Sequence, residues 1–248
     1  MIAVALRSMS RFLLVLLAAA VAPRVLAADT VVVARFSAAH PGGAMPEAWQ
    51  PFTFARIHRH TRYSLVADDS ATAVKAEADA SASGLIRLLD VDPAALPLLE
   101  WRWKVESLPA KSDPTRKKGD DYAARIYVAF RFDPARASMA QRAKHAMAKA
   151  IYGEDVPHAA INYIWATATP VGTVLANAYT DRVRMIVVRS GAADLGRWVR
   201  ERRNVYEDYR RAFGEAPPPI SGIAIMTDTD DTAGRAVAFY GDIVLEAR

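Results

Sequence analysis

The chain has 248 residues, no cysteine, 52% hydrophobic residues and a formal net charge of +5 at pH 7. This length and hydrophobic content are sufficient for one domain with a full core. Without cysteine, no disulfide can contribute to stability. A nucleic-acid-binding domain is expected to concentrate basic residues in a stripe, and the net charge of +2 that remains without the amino-terminal segment described next gives little support for that class.

The first 27 residues have the three parts of a secretory signal peptide. Arg7 and Arg11 precede a short apolar run, and small residues follow up to Ala27. The apolar run is too short to cross a bilayer, which takes about 20 residues. We therefore expect cleavage after Ala27 and a mature protein, residues 28–248, that forms a single domain without a membrane span in the periplasm or outside the cell. Cleavage lowers Lys+Arg from 32 to 29 against 27 Asp+Glu, a net charge of +2.

Two long segments alternate between apolar and polar residues, as strands with one buried face do. In the first, four residues are predicted to point inward: Leu99, Trp101, Trp103 and Val105. In the second, the predicted inward residues are Tyr122, Ala124, Ile126, Val128, Phe130 and Phe132, and the outward residues are Ala123, Arg125, Tyr127, Ala129 and Arg131. So much aromatic surface on one sheet face needs a second layer to cover it. The pattern predicts a β-sandwich.

Shorter β-rich runs separated by turn residues bring the expected total to about ten to twelve strands. They are Thr30–Phe36, two runs within Phe52–Val66, Ala73–Ala78, Leu85–Leu89, Ile161–Ala166, Thr173–Tyr179, Val183–Arg189, Ile220–Thr227 and Ala236–Leu245. Four further core residues are predicted: Phe52, Phe54, Tyr63 and Leu65. The predicted fold class is mainly β, an antiparallel sandwich of the jelly-roll type.

Two helices are predicted as insertions in the sandwich. The first begins at Ser138, which forms a capping box with Gln141, and runs to about Tyr152. The second covers Trp198 to Phe213, with an apolar stripe at helical spacing.

Five sequence blocks resemble a bacterial exported family, domain of unknown function 3047. They are Gly119–Phe130, Asn162–Ala166, Glu201–Arg211, Gly222–Thr232 and Tyr240–Ile243, and the resemblance covers nearly the whole mature chain. The family implies no activity that can be carried across. The strand alternation and the final Gly-Asp-Ile strand are also similar to jelly-roll carbohydrate-binding modules of the galactose-binding kind, which implies a related architecture.

Acidic residues cluster where two predicted strands begin and end. Asp120 and Asp121 precede one strand, and a second group of acids, Asp228, Asp230 and Asp231, follows another. Such strand ends meet at one rim of a sandwich, where carboxylates suit Ca²⁺. The candidate Ca²⁺ ligands are Asp228, Asp230 and Asp231, and no other cofactor is predicted. Two alternatives stand beside this: the acids accept backbone hydrogen bonds in turns, or two of them act as general acid and base on a glycosidic bond.

Aromatic residues with polar neighbours are typical of small-ligand pockets. The candidate stacking rings are Trp165, Tyr127, Tyr179 and Tyr240, although an aromatic ring in a strand equally suits the core. Asn162 and Arg125 are the hydrogen-bonding candidates. The predicted ligand-binding residues are therefore Asp120, Asp121, Arg125, Tyr127, Asn162, Trp165, Asp228 and Asp230.

Three functions are compatible with these features. The first is non-catalytic binding of a carbohydrate or another cell-envelope component. The second is a polysaccharide-active hydrolase or lyase that uses Asp120 or Asp121 with Asp228 or Asp230. The third is a structural or assembly protein of the envelope. The sequence contains no P-loop, dinucleotide fingerprint or Gly-x-Ser-x-Gly motif.

Overall fold

The computed structural model describes residues 30–135, 137–140, 142, 143, 146 and 157–248. The predicted signal peptide, residues 1–27, lies outside the described residues, as does most of the helix predicted from Ser138. Its described residues 139, 140, 142, 143 and 146 are helical. The N–H of Arg142 donates to the carbonyl of Ser138 at 2.9 Å, which marks the start of that helix. Among the described residues, no helix is long and apolar enough to cross a membrane.

Within the described ranges, thirteen strands, one further helix and two short 3-10 turns are found. The strands are β1 Thr30–Ala34, β2 Gln50–Phe52, β3 Arg62–Asp68, β4 Ala71–Asp79, β5 Ala82–Val91, β6 Leu98–Ser107, β7 Ala124–Phe130, β8 Ala159–Ala166, β9 Val174–Ala176, β10 Val183–Ser190, β11 Val199–Asn204, β12 Ile220–Asp228 and β13 Arg235–Glu246. Helix α1 is Val205–Phe213, and the 3-10 turns are Phe36–Ala38 and Lys117–Gly119.

The strands form two sheets. The seven-stranded sheet has the order β2-β5-β12-β7-β8-β10-β9. The six-stranded sheet has the order β11-β6-β13-β4-β3, and β1 pairs with the end of β13. Every neighbouring pair is antiparallel except β8 and β10, which run parallel. A parallel pair requires a crossover connection, which residues 167–182 supply with β9 inside it. The predicted sandwich is confirmed, and its sheets are antiparallel apart from this pair.

Aromatic side chains from both sheets meet in the core. Trp101 and Trp103 on β6 are 1% and 0% exposed. Trp101 stacks on Tyr163 of the opposite sheet with ring centroids 5.2 Å apart, and the ring of Trp103 lies 6.0 Å from that of Trp165. Each of these four side chains buries the large apolar area of its indole or phenol ring. The predicted inward face of β6 is therefore confirmed.

The helix predicted over Trp198–Phe213 is wrong in its first half. Residues Val199–Asn204 form strand β11, which pairs with β6 along the edge of the six-stranded sheet. Their arginines and glutamate have good helix propensity, but the open edge of β6 offers backbone partners that override it. Helix α1 begins only at Val205, where the side chain of Asn204 caps it by accepting the N–H of Glu207 at 3.0 Å.

The central strands of the seven-stranded sheet are buried on both faces. Strand β8 is buried along its whole length. On the outer face, Tyr122 packs with a small apolar cluster: Ile164, Ala166, Met185 and Val187. The predicted outward residue Arg125 is likewise buried, at 2% exposure. The expectation of one wet face fails here because this face carries its own packed layer, and the candidate site lies in that layer.

Candidate functional site

Three neighbouring strands place polar side chains on the outer face of the seven-stranded sheet. On β7, Ile126 and Val128 fill the core, so Arg125 and Tyr127 point outward. The antiparallel register sets Tyr127 opposite Asn162 of β8. We call this region, defined by Arg125, Tyr127, Asn162 and Asp228 at the end of β12, the Arg125 face.

Arg125 is the centre of a closed hydrogen-bond network. Its Nε donates to one oxygen of Asp228 at 2.7 Å, and a terminal nitrogen donates to the other oxygen. Two further donors reach the carbonyl of Asp120 and, at 3.0 Å, the hydroxyl of Tyr127. The guanidinium also lies over the ring of Tyr122, 4.3 Å from its centroid. This two-pronged pairing with a carboxylate fixes the end of β12 to β7, and the bond to the carbonyl of Asp120 holds the loop before β7.

Burial governs the charges of this network. Burial raises the pKa of Asp228 well above its ordinary value, and the guanidinium of Arg125 acts in the opposite direction. For Arg125 itself, burial would lower the pKa, but Asp228 and the neighbouring groups raise it, so the arginine stays charged. Burial raises the pKa of Tyr127 to about 12. The hydroxyl of Tyr127 is therefore neutral at physiological pH; it accepts from Arg125 and keeps its own proton to donate.

Asn162 lacks hydrogen-bond partners. It is 0% exposed, and within the described structure neither its amide oxygen nor its amide nitrogen has one. An unsatisfied buried polar group costs about 1–3 kcal/mol, and buried amides in native proteins are almost always paired. Burial of Asn162 therefore lowers the stability of the fold, and no hydrogen bond within the described structure compensates for it.

Aromatic rings extend the Arg125 face toward the sheet edge. The ring of Phe52 lies 6.3 Å from that of Tyr127 and 5.0 Å from that of Phe54. Both phenylalanines are half-buried, so their predicted core position is wrong. Phe52 sits opposite Gly84 in the β2–β5 pair, and a Cβ on Gly84 would lie 3.2 Å from its ring. Further along β5, the side chain of Leu88 is 56% exposed.

The two predicted acidic groups do meet at one rim. Asp121 accepts the N–H groups of Asp231 and Thr232 at 3.1 and 2.7 Å. Carboxylate oxygens of Asp121, Asp230 and Asp231 lie within 4.8 Å of one another. The candidate Ca²⁺ set is corrected in one member, because Asp228 is bound to Arg125 and Asp121 takes its place. All three supply the oxygen ligands that Ca²⁺ prefers, although both oxygens of Asp121 already accept backbone hydrogen bonds in the manner of a turn aspartate.

The rim carboxyls have raised pKa values. Burial raises the pKa of Asp231 to about 6; a hydrogen bond from Tyr179 lowers it, and Asp230 and Asp121 raise it. Burial, then the charge of Asp121, raises the pKa of Asp230. Burial also raises the pKa of Asp120, against the charge of Arg125. Crowding of acids at this rim therefore favours their protonated forms.

Three predicted stacking rings lie apart from the Arg125 face. Trp165 is 1% exposed in the core, and its Nε1 donates to the carbonyl of Gly191 at 3.1 Å. It belongs to the inward face of β8, so it offers no platform for a ligand. Tyr240 is also a core residue, with its hydroxyl bonded to the carbonyl of Met226 at 2.5 Å. Tyr179 is exposed at the acidic rim, where it donates to Asp231.

The eight predicted ligand-binding residues thus fall into three groups. Five share the Arg125 face or border it: Asp120, Arg125, Tyr127, Asn162 and Asp228. Asp121 and Asp230 lie at the adjacent rim, and Trp165 is in the core. Phe52 and Phe54 were predicted to be core residues, so their membership of this face was missed. Pro51, which precedes Phe52, indicates an edge strand, and the rings on such a strand lie here on the outer face instead of in the core.

Fold and site together define a β-sandwich protein with a rigid polar cluster set into one outer sheet face. Residues 47–244 match the family described as "Protein of unknown function (DUF3047)". The chain belongs to this family, as its motifs predicted. No curated protein sequence matches the chain.

Two solved structures illustrate the resemblance of the sandwich to known domains. The family 11 carbohydrate-binding module of cellulosomal cellulase Lic26A-Cel5E of Clostridium thermocellum aligns with a TM-score of 0.41 and 8% identity, covering 84% of this chain and 92% of the module. The K1 cleaved adhesin domain of Lys-gingipain from Porphyromonas gingivalis aligns with a TM-score of 0.39 and 12% identity, covering 88% and 98%. Similarity at this level says nothing about a shared ligand.

Proposed function

We propose that the protein binds a carbohydrate, or another hydroxylated component of the cell envelope, on the Arg125 face without transforming it. The unpaired, fully buried amide of Asn162 beside Tyr127 carries this proposal. An amide offers donors and an acceptor together, which is what the hydroxyl groups of a sugar require. The half-buried rings of Phe52 and Tyr127 add the apolar surface that ligand sites combine with a few polar groups.

The Arg125 network makes the face rigid before a ligand arrives. Arg125 holds the hydroxyl of Tyr127 at 3.0 Å, so the phenol ring cannot rotate away. Its proton has no acceptor among the described residues and is free for a ligand oxygen. Arg125 itself uses four of its five N–H donors on protein partners and acts as a positioning residue. Such preorganisation lowers the conformational entropy lost on binding.

The engagement of the carboxylates favours binding over hydrolysis of a glycosidic bond. That reaction needs one carboxyl as acid and a second as base or nucleophile, about 5–9.5 Å apart. Asp228 is bound by Arg125, and both oxygens of Asp121 accept backbone N–H groups. Asp120 accepts from Asn177 at 3.1 Å. Asp121 and Asp228 are therefore committed to holding loops and strand ends together, whereas Asp120 keeps one buried carboxylate oxygen without a partner among the described residues.

We also propose that the protein works beyond the inner membrane, in the periplasm or outside the cell. The basic start and short apolar run of residues 1–27 support export. An amino-terminal sequence of the protein purified from its host would test this; an intact N-terminus on cytoplasmic material would contradict it.

A glycan array followed by calorimetry on the protein without its signal peptide tests the binding proposal. We expect one class of envelope polysaccharide to bind, and Asn162→Ala and Tyr127→Phe each to weaken it about tenfold, since each removes hydrogen bonds to the ligand. Phe52→Ala should weaken binding, whereas Gln50→Ala, on the same strand and exposed, should not. Absence of binding across envelope polysaccharides would refute the proposal, and release of reducing sugar would identify an enzyme instead.

A further inference from the structure

A cleft lies on the outer face of the six-stranded sheet, on the side of the molecule opposite the Arg125 face. It has a volume of about 310 Å³. Its walls come from β6, β11, β13 and the first 3-10 turn, and the lining residues are Ser37, Glu100, Trp101, Arg102, Arg200, Asp242 and Val244. No residue of the Arg125 face contributes to it. We call it the Arg102 cleft.

An irregularity in β13 shapes the Arg102 cleft. The register of β13 against β6 shifts between Tyr240 and Ile243, at the Gly-Asp pair of the terminal family block. The shift turns Asp242 toward Ser37, whose N–H and hydroxyl donate to it at 2.9 and 2.5 Å. A Cβ on Gly241 would overlap the side chain of Arg102. Gly241 therefore lets the stem of Arg102 lie flat against the backbone of β13.

A tryptophan holds the other end of Arg102. The guanidinium carbon lies 4.7 Å from the ring centroid of Trp198, a cation–π contact. Trp198 is in turn fixed by its Nε1, which donates to Asp68 at 2.8 Å. Stacking uses the flat face of a guanidinium and leaves its N–H donors, which lie in the plane, available. Neither Gly241 nor Trp198 lines the cleft.

The guanidinium of Arg102 has no anionic partner in the described part of the chain. The carboxylates around it are occupied elsewhere: Glu100 pairs with Arg200 at 3.0 Å, Asp68 with Lys104 at 2.6 Å, and Asp242 accepts from Ser37. A planar, prepositioned arginine of this kind suits an oxyanion that accepts two parallel hydrogen bonds.

We propose that the Arg102 cleft binds a small molecule through a carboxylate group, which Arg102 contacts with both prongs of its guanidinium. A single negative charge fits better than a phosphate dianion, because the charges of the two acids in the lining, Glu100 and Asp242, already balance those of Arg102 and Arg200. A cavity of about 310 Å³ is at the small end of ligand sites. It suits a ligand of the size of a uronic acid or an amino acid, which share this chemistry. The site is independent of the Arg125 face.

Calorimetry with glucuronate and N-acetylalanine tests the proposal, with glucose and N-acetylalanine amide as neutral controls. We expect at least one carboxylate to bind about tenfold or more tightly than its neutral control; which of them binds identifies the source of the carboxylate. Arg102→Gln should abolish this preference. Arg102→Lys keeps the charge but loses the planar fork and should weaken binding about tenfold. Arg131→Gln, an exposed arginine directly after β7 of the other sheet and outside both sites, should leave it unchanged.

Gly241→Ala gives a second test, in which Arg102 itself is not substituted. The added methyl group should displace the arginine side chain and weaken carboxylate binding, and a thermal melt of the variant shows whether it is still folded. The proposal is overturned if neither carboxylate binds more tightly than its neutral control. It is also overturned if Arg102→Gln binds like the wild type, if Arg102→Lys binds as tightly as the wild type, or if inorganic phosphate binds more tightly than both carboxylates.

Discussion

Two arginine–aspartate–tyrosine groups in this molecule have similar chemistry and different surroundings. In one, Arg203 of β11 donates to Asp208 of α1 at 2.9 and 2.6 Å, and Asp208 also accepts the hydroxyl of Tyr163 at 2.8 Å. Tyr163 belongs to the opposite sheet, so this group ties the two sheets together at the edge of the core. Its arginine side chain is 32% exposed.

The other group, on the Arg125 face, joins only elements of one sheet. Arg125, Asp228 and Tyr127 lie outside the sandwich core, where there is no second sheet to hold. Burying an ion pair is costly and often no more stabilising than apolar packing. Next to it stands the unpaired amide of Asn162, whereas no buried side-chain atom of the Arg203 group lacks a partner among the described residues. The Arg203 group therefore connects the two sheets of the sandwich, whereas the Arg125 group holds the side chains of the candidate site in place.

Removing the buried arginine should have the largest effect. Arg125→Leu leaves Asp228 uncompensated in the interior, and we expect a loss of about 3–5 kcal/mol in the free energy of unfolding. Urea denaturation measures it. In the double variant Arg125→Leu with Asp228→Leu, much of the loss should be recovered because neither partner of the buried ion pair is left without the other; a double variant less stable than the single one would contradict this account.

The matching change at the sheet edge should cost less. Arg203→Leu removes hydrogen bonds to Asp208, but water reaches this position and Tyr163 still donates to the carboxylate. We expect a loss of about 1.5–3 kcal/mol, in the range of a hydrogen bond to a charged group. Urea denaturation measures both variants. If the free energy of unfolding falls more in Arg203→Leu than in Arg125→Leu, this ranking of the two groups is wrong.

Asn162→Leu should stabilise the protein. Replacing an unsatisfied buried amide with an apolar side chain of similar size removes a desolvation penalty of about 1–2 kcal/mol. The melting temperature should rise while binding to the glycan is lost, which is the trade expected at a functional position. Asn204→Leu is the matched control: its amide caps α1, so that variant should melt lower than the wild type. A lower melting temperature for Asn162→Leu would mean that the amide has a structural partner.

The smallest effect concerns pH at the acidic rim. The pKa of Asp231 is about 6 in the folded protein, against 3.8 ordinarily. The folded state therefore binds this proton more tightly, and the resulting stability is fully present below the ordinary pKa and is lost as the pH rises through about 6. Asp231→Asn should melt above the wild type near neutral pH, and the difference should shrink below about pH 5. Thermal melts in EDTA measure it; a difference independent of pH would contradict the raised pKa.

Short-range sequence patterns predicted the features of this structure that neighbouring residues determine. The alternation around Trp101 and Trp103 identified the core face, and the positions of the acids at strand ends predicted their meeting at one rim. Strand β11 was missed because its identity depends on the free edge of β6, a partner about a hundred residues away in sequence. The burial of Arg125 was missed for a similar reason: alternation assigns a face to a side chain but does not reveal whether that face carries its own packed layer.

The outermost strands of both sheets have consequences for how the protein behaves at high concentration. Exposed strand edges invite pairing between molecules, and charge, proline or shortness discourages it. Strand β11 carries Arg200 and Arg202 beside its free edge, and β2 and β9 are three residues long, with Pro51 inside β2. Fibrous growth by continuation of the sheets is therefore disfavoured at these three edges, whereas β3, the outermost strand on the other side of the six-stranded sheet, has seven residues and no proline.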